Sequence, residues 1–158
     1  MLARLWPRVS QTRYLGLLVN RVEPIELWPI GIVTSPLTDP DTAPKQGDEG
    51  APAATIALDP RFLQALHGIE PGDSVFVLTW LDRADRAALS VHPRGDTSRP
   101  RQGVFATRAP DRPNPIGLHQ VRVESIDGAQ IRVSHLEALD GTPVLDLKPV
   151  LTTDAGER

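Results

Sequence analysis

A chain of 158 residues with 40% hydrophobic content has the size of one domain and enough apolar side chains to bury a core. The absence of cysteine excludes disulfides, thiolate zinc sites and thiol nucleophiles, and fits a reducing, cytoplasmic setting. The net charge of −3 gives no global pull towards nucleic acid, but residues 82–122 hold eight arginines against four aspartates. That stretch is locally basic, and arginine favours bidentate contacts to phosphate or carboxylate over diffuse attraction.

In chain order, residues 1–26 read as a flexible extension. Its apolar run from Tyr14 to Val19 is too short to span a membrane and is poorly placed for a secretory signal. The domain is expected over 27–154, with a polar tail at 155–158. A first strand is expected from Leu27 to Thr34, ending at Ser35-Pro36. The proline- and acid-rich stretch from Pro36 to Pro52 is a long loop by composition. Ala54 to Leu58 reads as a second strand. Asp59-Pro60 then opens a short helix, with Phe62, Leu63 and Leu66 on its buried face and Gly68 ending it. Ser74 to Leu81, rich in Val, Phe and Trp, reads as a central strand with Trp80 in the core.

Asp82 to Arg86 alternates charge, as in a salt-bridged turn or the edge of a site. A proline-broken basic loop follows, from His92 to Arg101, leading to a short strand at Gly103 to Ala106. After Gly117, Val121, Val123 and Ile126 precede Asp127-Gly128, and Ile131 and Val133 follow it, which predicts a hairpin with the favoured turn dipeptide. A second Asp-Gly, at 140–141, leads into Val144 to Lys148, giving three consecutive antiparallel strands. The fold class expected is all-β, mainly antiparallel: a small closed or partly open β-barrel with one short helix.

The densest stretch is Thr-Arg-Ala-Pro-Asp-Arg-Pro-Asn-Pro-Ile-Gly-Leu, 107–118. Pro110, Pro113 and Pro115 fix their own φ and push the preceding residues away from the helical region, so the segment is a stiff, shaped loop. Arg108, Asp111, Arg112 and Asn114 stand on it at fixed separations, as a preorganised polar site requires. Other chemistries find no support. The chain has no glycine-rich phosphate fingerprint after a strand and no nucleophile elbow. His67, His92, His119 and His135 lack metal-ligand spacing, so no metal is expected. Carboxylates at Glu137, Asp140 and Asp146 remain, and with the arginines they suit a ligand bearing both a carboxylate and a cation.

The segments GVFATRAPDRPNPIGL (103–118) and LEALDGTPVLDLKP (136–149), with the weaker PKQG (44–47), closely resemble the TsaA-like family of tRNA methyltransferases, also called TrmO. The resemblance implies a β-barrel enzyme, distinct from the Rossmann class, that uses S-adenosyl-L-methionine to methylate N6 of threonylcarbamoyladenosine beside the anticodon of tRNA. It also implies a homodimer with the cofactor near the subunit interface. Two departures stand out: Lys45 occupies the place of the family's usual arginine, and Val150 that of a tyrosine.

The motif residues fit that cofactor class by class. Arg108 or Arg112 is expected to clamp its carboxylate, and Asp111 or Asp140 to accept from its amino or ribose groups. Backbone groups around Leu118 and Leu136 are expected to read the adenine edge. Gln46, Asn114, His119 and Thr142, within or beside the same motifs, complete the expected cofactor set. Methyl transfer from sulfonium to nitrogen needs alignment and a proton acceptor. Asp146 or Asp140 is expected in the latter role, with Lys148 holding the carboxylate ionised or contacting phosphate. Two alternatives carry less of the sequence: a methyltransferase acting on a small molecule, and a non-catalytic cofactor-binding module.

Overall fold

The computed structural model describes residues 24–151. The expected extension therefore falls outside the described residues except for 24–26, and the expected tail falls wholly outside them. Eight strands form among the described residues: β1 (Gly31–Thr34), β2 (Ala54–Leu58), β3 (Ser74–Trp80), β4 (Ser90–Val91), β5 (Gln102–Gly103), β6 (Ile116–Asp127), β7 (Gln130–Val133) and β8 (Pro143–Pro149). Six of them close into an antiparallel barrel in the order β1-β2-β7-β6-β3-β8, with β8 returning to β1; β4 and β5 pair separately as a small arm. Closure leaves the barrel strands no open edge along this circuit.

The interior follows from the alternation of the strands. Val121 and Val123 of β6 point inward, alternating with the exposed Gln120, Arg122 and Glu124, and Val75 and Val77 of β3 also point inward. Val33, Ile56, Ile131, Val133 and Val144 arrive from the other strands, so the core is almost entirely β-branched, the side chains that pack best on a pleated surface. Leu136 and Ala138, on the segment between β7 and β8, complete it.

Several expectations shift in detail. The first strand begins only at Gly31, after Pro29, although Ile30 already donates to the Val144 carbonyl at 2.8 Å. The short helix forms at Pro60–Leu66 as a 3-10 helix, with Asp59 Oδ1 accepting from the Arg61 N–H at 2.9 Å; Leu63 is exposed rather than buried. The expected strand at 103–106 is instead β5 followed by a 3-10 turn, Val104–Ala106, that buries Val104 and leaves Phe105 exposed. The β6–β7 hairpin turns on Gly128-Ala129, one position later than Asp127-Gly128, because Asp127 itself pairs with Gln130. Gly128 has φ +54 and Ala129 does not share the positive φ, the type II′ pattern with glycine first.

The largest correction concerns β8, which does not pair with β7. It pairs with β3 and β1 and closes the barrel. A bulge opposite Leu78/Thr79 leaves Leu145 unpaired, so Val144 is buried and Leu147 packs against the core, while Asp146 and Lys148 sit on the outer face.

Candidate active site

The central loop is held by its own side chains. Arg112 donates through Nε to the Ala109 carbonyl at 2.9 Å and through Nη2 to the Val104 carbonyl at 2.8 Å and to that of Thr107. The Thr107 hydroxyl adds a bond to the Val104 carbonyl at 3.0 Å. Guanidinium and prolines together give the loop one shape. It is locked to the turn after β3 as well: Asp111 Oδ1 accepts from the Asp85 N–H at 2.8 Å, and Arg86 donates to the Pro113 carbonyl at 3.1 Å while its guanidinium lies 5.2 Å from the centre of the Trp80 ring. Trp80 is half-buried, not fully in the core. The alternating charges at 82–86 thus form an edge of the site; Arg83 reaches across to the carbonyls of Thr38 and Asp140.

A cleft of about 620 Å³ opens between this loop, the 40–46 loop, residues 81–84, the start of β6 at 116–119 and the segment 137–142. A second recess of about 440 Å³ adjoins it, and Gln46, Arg108, Leu118 and Glu137 line both. Under the cleft lies a buried polar chain. Thr79 of β3 and His119 of β6 both point inward, and Thr79 Oγ1 lies 2.9 Å from His119 Nε2. His119 Nδ1 is 2.9 Å from Glu137 Oε1, but the carboxylate stands off the line of a hydrogen bond, so Nδ1 is the one buried side-chain polar atom among the described residues without an aligned partner. The carboxylate, 14% exposed, keeps access to the cleft.

Two glycines make this arrangement possible. A Cβ on Gly117 would lie 2.3 Å from Thr79 Oγ1 and 2.6 Å from His119 Nε2. On Gly47 it would lie 2.5 Å from the His135 carbonyl oxygen and 3.3 Å from Glu137 Oε2. Only a residue without a side chain leaves room for the two polar side chains at Gly117 and for the His135 carbonyl at Gly47.

Of the residues expected from sequence, Gln46, Arg108, Asp111, Arg112, Leu118, His119 and Thr142 line the cleft. Their parts differ. Arg112 donates to carbonyls of the loop and Asp111 accepts from Asp85 in the turn after β3, whereas Arg108 is exposed and has no hydrogen-bond or ion-pair partner among the described residues. Asn114, Leu136, Asp140, Asp146 and Lys148 do not line it. Leu136 is fully buried and its N–H donates to the Pro52 carbonyl at 3.1 Å. Asp140 Oδ1 accepts from the Ser35 N–H at 3.0 Å, and Asp146 pairs with Lys148 at 2.9 Å on the outer face. Asp41, Asp82 and Glu137 line the cleft as well, Glu137 alone of them against His119, and Thr79 is the polar group that the sequence concealed, as an ordinary β-branched strand residue. The inward parity shared by Thr79 and His119 was the available signal.

A family model described as the tRNA-methyltransferase O N-terminal domain matches residues 32–154, which contain the cleft and all of the barrel except Gly31, the first residue of β1. The chain belongs to the TrmO family. Similar proteins include a probable S-adenosyl-L-methionine-binding protein of Methanothermobacter thermautotrophicus, 45% identical over 79% of this chain and 89% of the relative. An S-adenosyl-L-methionine-binding protein of Archaeoglobus fulgidus is 43% identical over 77% of this chain and 86% of its own length. Among solved structures, TrmO from Pseudomonas aeruginosa superposes with a TM-score of 0.66 at 33% identity, covering 85% of this chain, and another TrmO structure with 0.67 at 34%. This chain spans 61% and 64% of those two chains. The barrel is thus the TrmO fold, and the stiff loop and the 136–149 segment lie within the matched residues.

Proposed function

We propose that this chain is an S-adenosyl-L-methionine-dependent N-methyltransferase of the cytoplasm whose acceptor is N6 of threonylcarbamoyladenosine next to the anticodon of tRNA. The names of the relatives support the cofactor, and the family description supports a tRNA acceptor. The observation that carries the reading is that an unpartnered arginine, Arg108, and a cleft-facing carboxylate, Glu137, line one cleft with apolar walls at Leu81, Leu118 and Leu139. Those residues fit the cofactor's carboxylate, amino group and adenine.

When bound, the cofactor supplies a methyl group on a sulfonium sulfur. Arg108 holds its carboxylate by a charge-assisted bond, and Leu118 and Leu139 screen the site from water. The Arg112-braced loop fixes donor against acceptor, and good alignment is worth up to about 7–11 kcal/mol of barrier. Glu137 accepts the proton leaving the acceptor nitrogen, in place of Asp146 or Asp140, because it lines the cleft, as they do not, and lies against His119. His119 positions that carboxylate, and Thr79 fixes the imidazole.

The homodimer belongs to the same proposal. Ile116 and Leu118 are 41% and 46% exposed on the outer stripe of β6, and Leu118 also lines the cleft, so a second copy on that stripe would wall it. A solution mass near twice 17.2 kDa is expected. The activity is tested by incubating the chain with isotopically labelled S-adenosyl-L-methionine and tRNA, then digesting to nucleosides for mass spectrometry. Label on threonylcarbamoyladenosine is expected. Label confined to another nucleoside, or absent while the cofactor binds, would overturn the acceptor.

A further inference from the structure

The arginines of the described residues divide sharply. Arg61, Arg94, Arg99 and Arg132 pair with carboxylates, and Arg83, Arg86, Arg101 and Arg112 donate to carbonyl or hydroxyl oxygens. Among those residues only Arg108 and Arg122 do neither, and both line the 440 Å³ recess beside the cleft. Two unspent guanidinium groups facing one recess is a binding arrangement, because isolated surface arginines find partners wherever a carboxylate or carbonyl is near, as the other eight do.

The rest of the recess matches. Arg122 stands on the outer stripe of β6, directly across from Ser74 of β3, and Gln120 follows on the same stripe. Ser134 and His135 close the far side. His135 has φ +55, a left-handed conformation that costs a residue with a side chain. The segment is pinned on both sides: the Ser134 N–H donates to the Arg122 carbonyl at 2.9 Å, the Leu136 N–H donates to Pro52, and Gly47 packs on the His135 carbonyl. An imidazole is thus held exposed at the recess, with the Ser74 hydroxyl, the Arg122 guanidinium and the Ser134 hydroxyl, which lies 3.4 Å from the Arg122 carbonyl to which it donates. Two acids, Asp48 and Glu137, also line the recess, and Glu137 is shared with the cleft.

We propose that Arg122, His135, Ser74 and Ser134 form a phosphate subsite that takes a backbone phosphate of the RNA acceptor, joined to the cofactor cleft through Arg108. This rests on the RNA-methyltransferase reading and adds the place where the acceptor's backbone is gripped. Planar guanidinium donors, an imidazole and hydroxyls are the donor set of a phosphodiester, and the position beside the cleft lets one contact fix the register of the base that enters it.

The test is fluorescence anisotropy of a labelled tRNA anticodon stem-loop with the full chain, across a salt series, together with calorimetric titration of S-adenosyl-L-methionine. Arg122→Ala is expected to weaken the RNA by about ten- to a hundredfold, the loss of a charge-assisted contact. It should lower the slope of log affinity against log salt by about one and leave cofactor affinity unchanged. Arg122→Lys keeps the charge and should retain the salt slope while losing part of the affinity. His135→Gly suits the positive φ, so it should keep or raise the melting temperature and still weaken the RNA; an unaffected RNA affinity would mean that His135 serves the turn alone. Inorganic phosphate should compete weakly, whereas a mononucleotide that binds as tightly as the stem-loop would overturn RNA as the source. Loss of cofactor rather than RNA affinity in Arg122→Ala would make the recess the cofactor's carboxylate site. A wild-type chain that binds the cofactor but no RNA would remove this subsite and leave the cofactor reading standing.

Discussion

Gly117→Ala probes the buried polar chain most directly. The new methyl would lie between Thr79 Oγ1 and His119 Nε2, at 2.3 and 2.6 Å, where the two groups now meet at 2.9 Å. Gly117 does not have positive φ, so the backbone accepts alanine and the effect is one of space alone. Thr79 and His119 are 0% and 6% exposed, so the parted groups cannot turn to water. Losing a buried hydrogen bond costs about 1–3 kcal/mol, and the overpacked methyl adds about 1–3 kcal/mol. The sum, about 2–6 kcal/mol, lowers the melting temperature by roughly 4–24 °C at about 2–4 °C per kcal/mol for a chain of this size. The assay is thermal unfolding of Gly117→Ala in the wild-type background and in Thr79→Ala. Removing the hydroxyl opens the space, so the glycine substitution should cost markedly less there, a coupling characteristic of groups in contact. A melting temperature within about a degree of wild type, or equal costs in the two backgrounds, would refute the packing described.

Other expectations follow from the same geometry. Gly103→Ala is the converse: φ is −58 and nothing lies within 4 Å of the added Cβ, so it should stabilise by about 0.4–1 kcal/mol through the unfolded chain, and a loss on thermal melting would contradict this. Glu137→Gln should cut methyl-transfer turnover by about a hundredfold or more with cofactor affinity little changed, as for loss of a proton acceptor; an unchanged kcat would move that role elsewhere. Arg112→Lys replaces the fork that serves three carbonyls of the loop, and should reduce both the melting temperature and the cofactor affinity; full affinity in calorimetry would separate the loop's shape from binding. The Arg61 guanidinium, and then the Arg61 N–H, hold the Asp59 carboxyl below its ordinary value of 3.8. The depressed value means that this stabilisation is fully present above pH 3.8 and is lost as pH falls through the lower folded-state value. The melting-temperature gap between wild type and Asp59→Asn should therefore be constant from neutral pH down to the ordinary carboxyl range and close only below it; a gap that closes near pH 6 would rule the link out.

What the sequence determined by itself was local. Alternation at Val121, Val123, Ile131 and Val133 specified the β6–β7 hairpin, because a period of two leaves one face for the core. Three prolines specified the stiff loop, and Asp59-Pro60 a helix start, since both act on φ and on backbone donors within a few residues. The register of the hairpin turn was lost by one residue, because Asp127 can serve either as a turn or as a strand end. The tertiary structure decided what depends on contacts distant in the chain. It paired β8 with β3 and β1 rather than with β7, since closing the barrel satisfies edge groups that no local pattern counts. That choice, with its bulge, put Asp146 and Lys148 outside, while Glu137 lines the cleft. Thr79, His119 and Glu137 lie on three separate segments and meet only because strand parity and the crossing segment bring them under one cleft. The division of the arginines was equally hidden, because whether a guanidinium is spent depends on which carbonyls and carboxylates the fold carries to it.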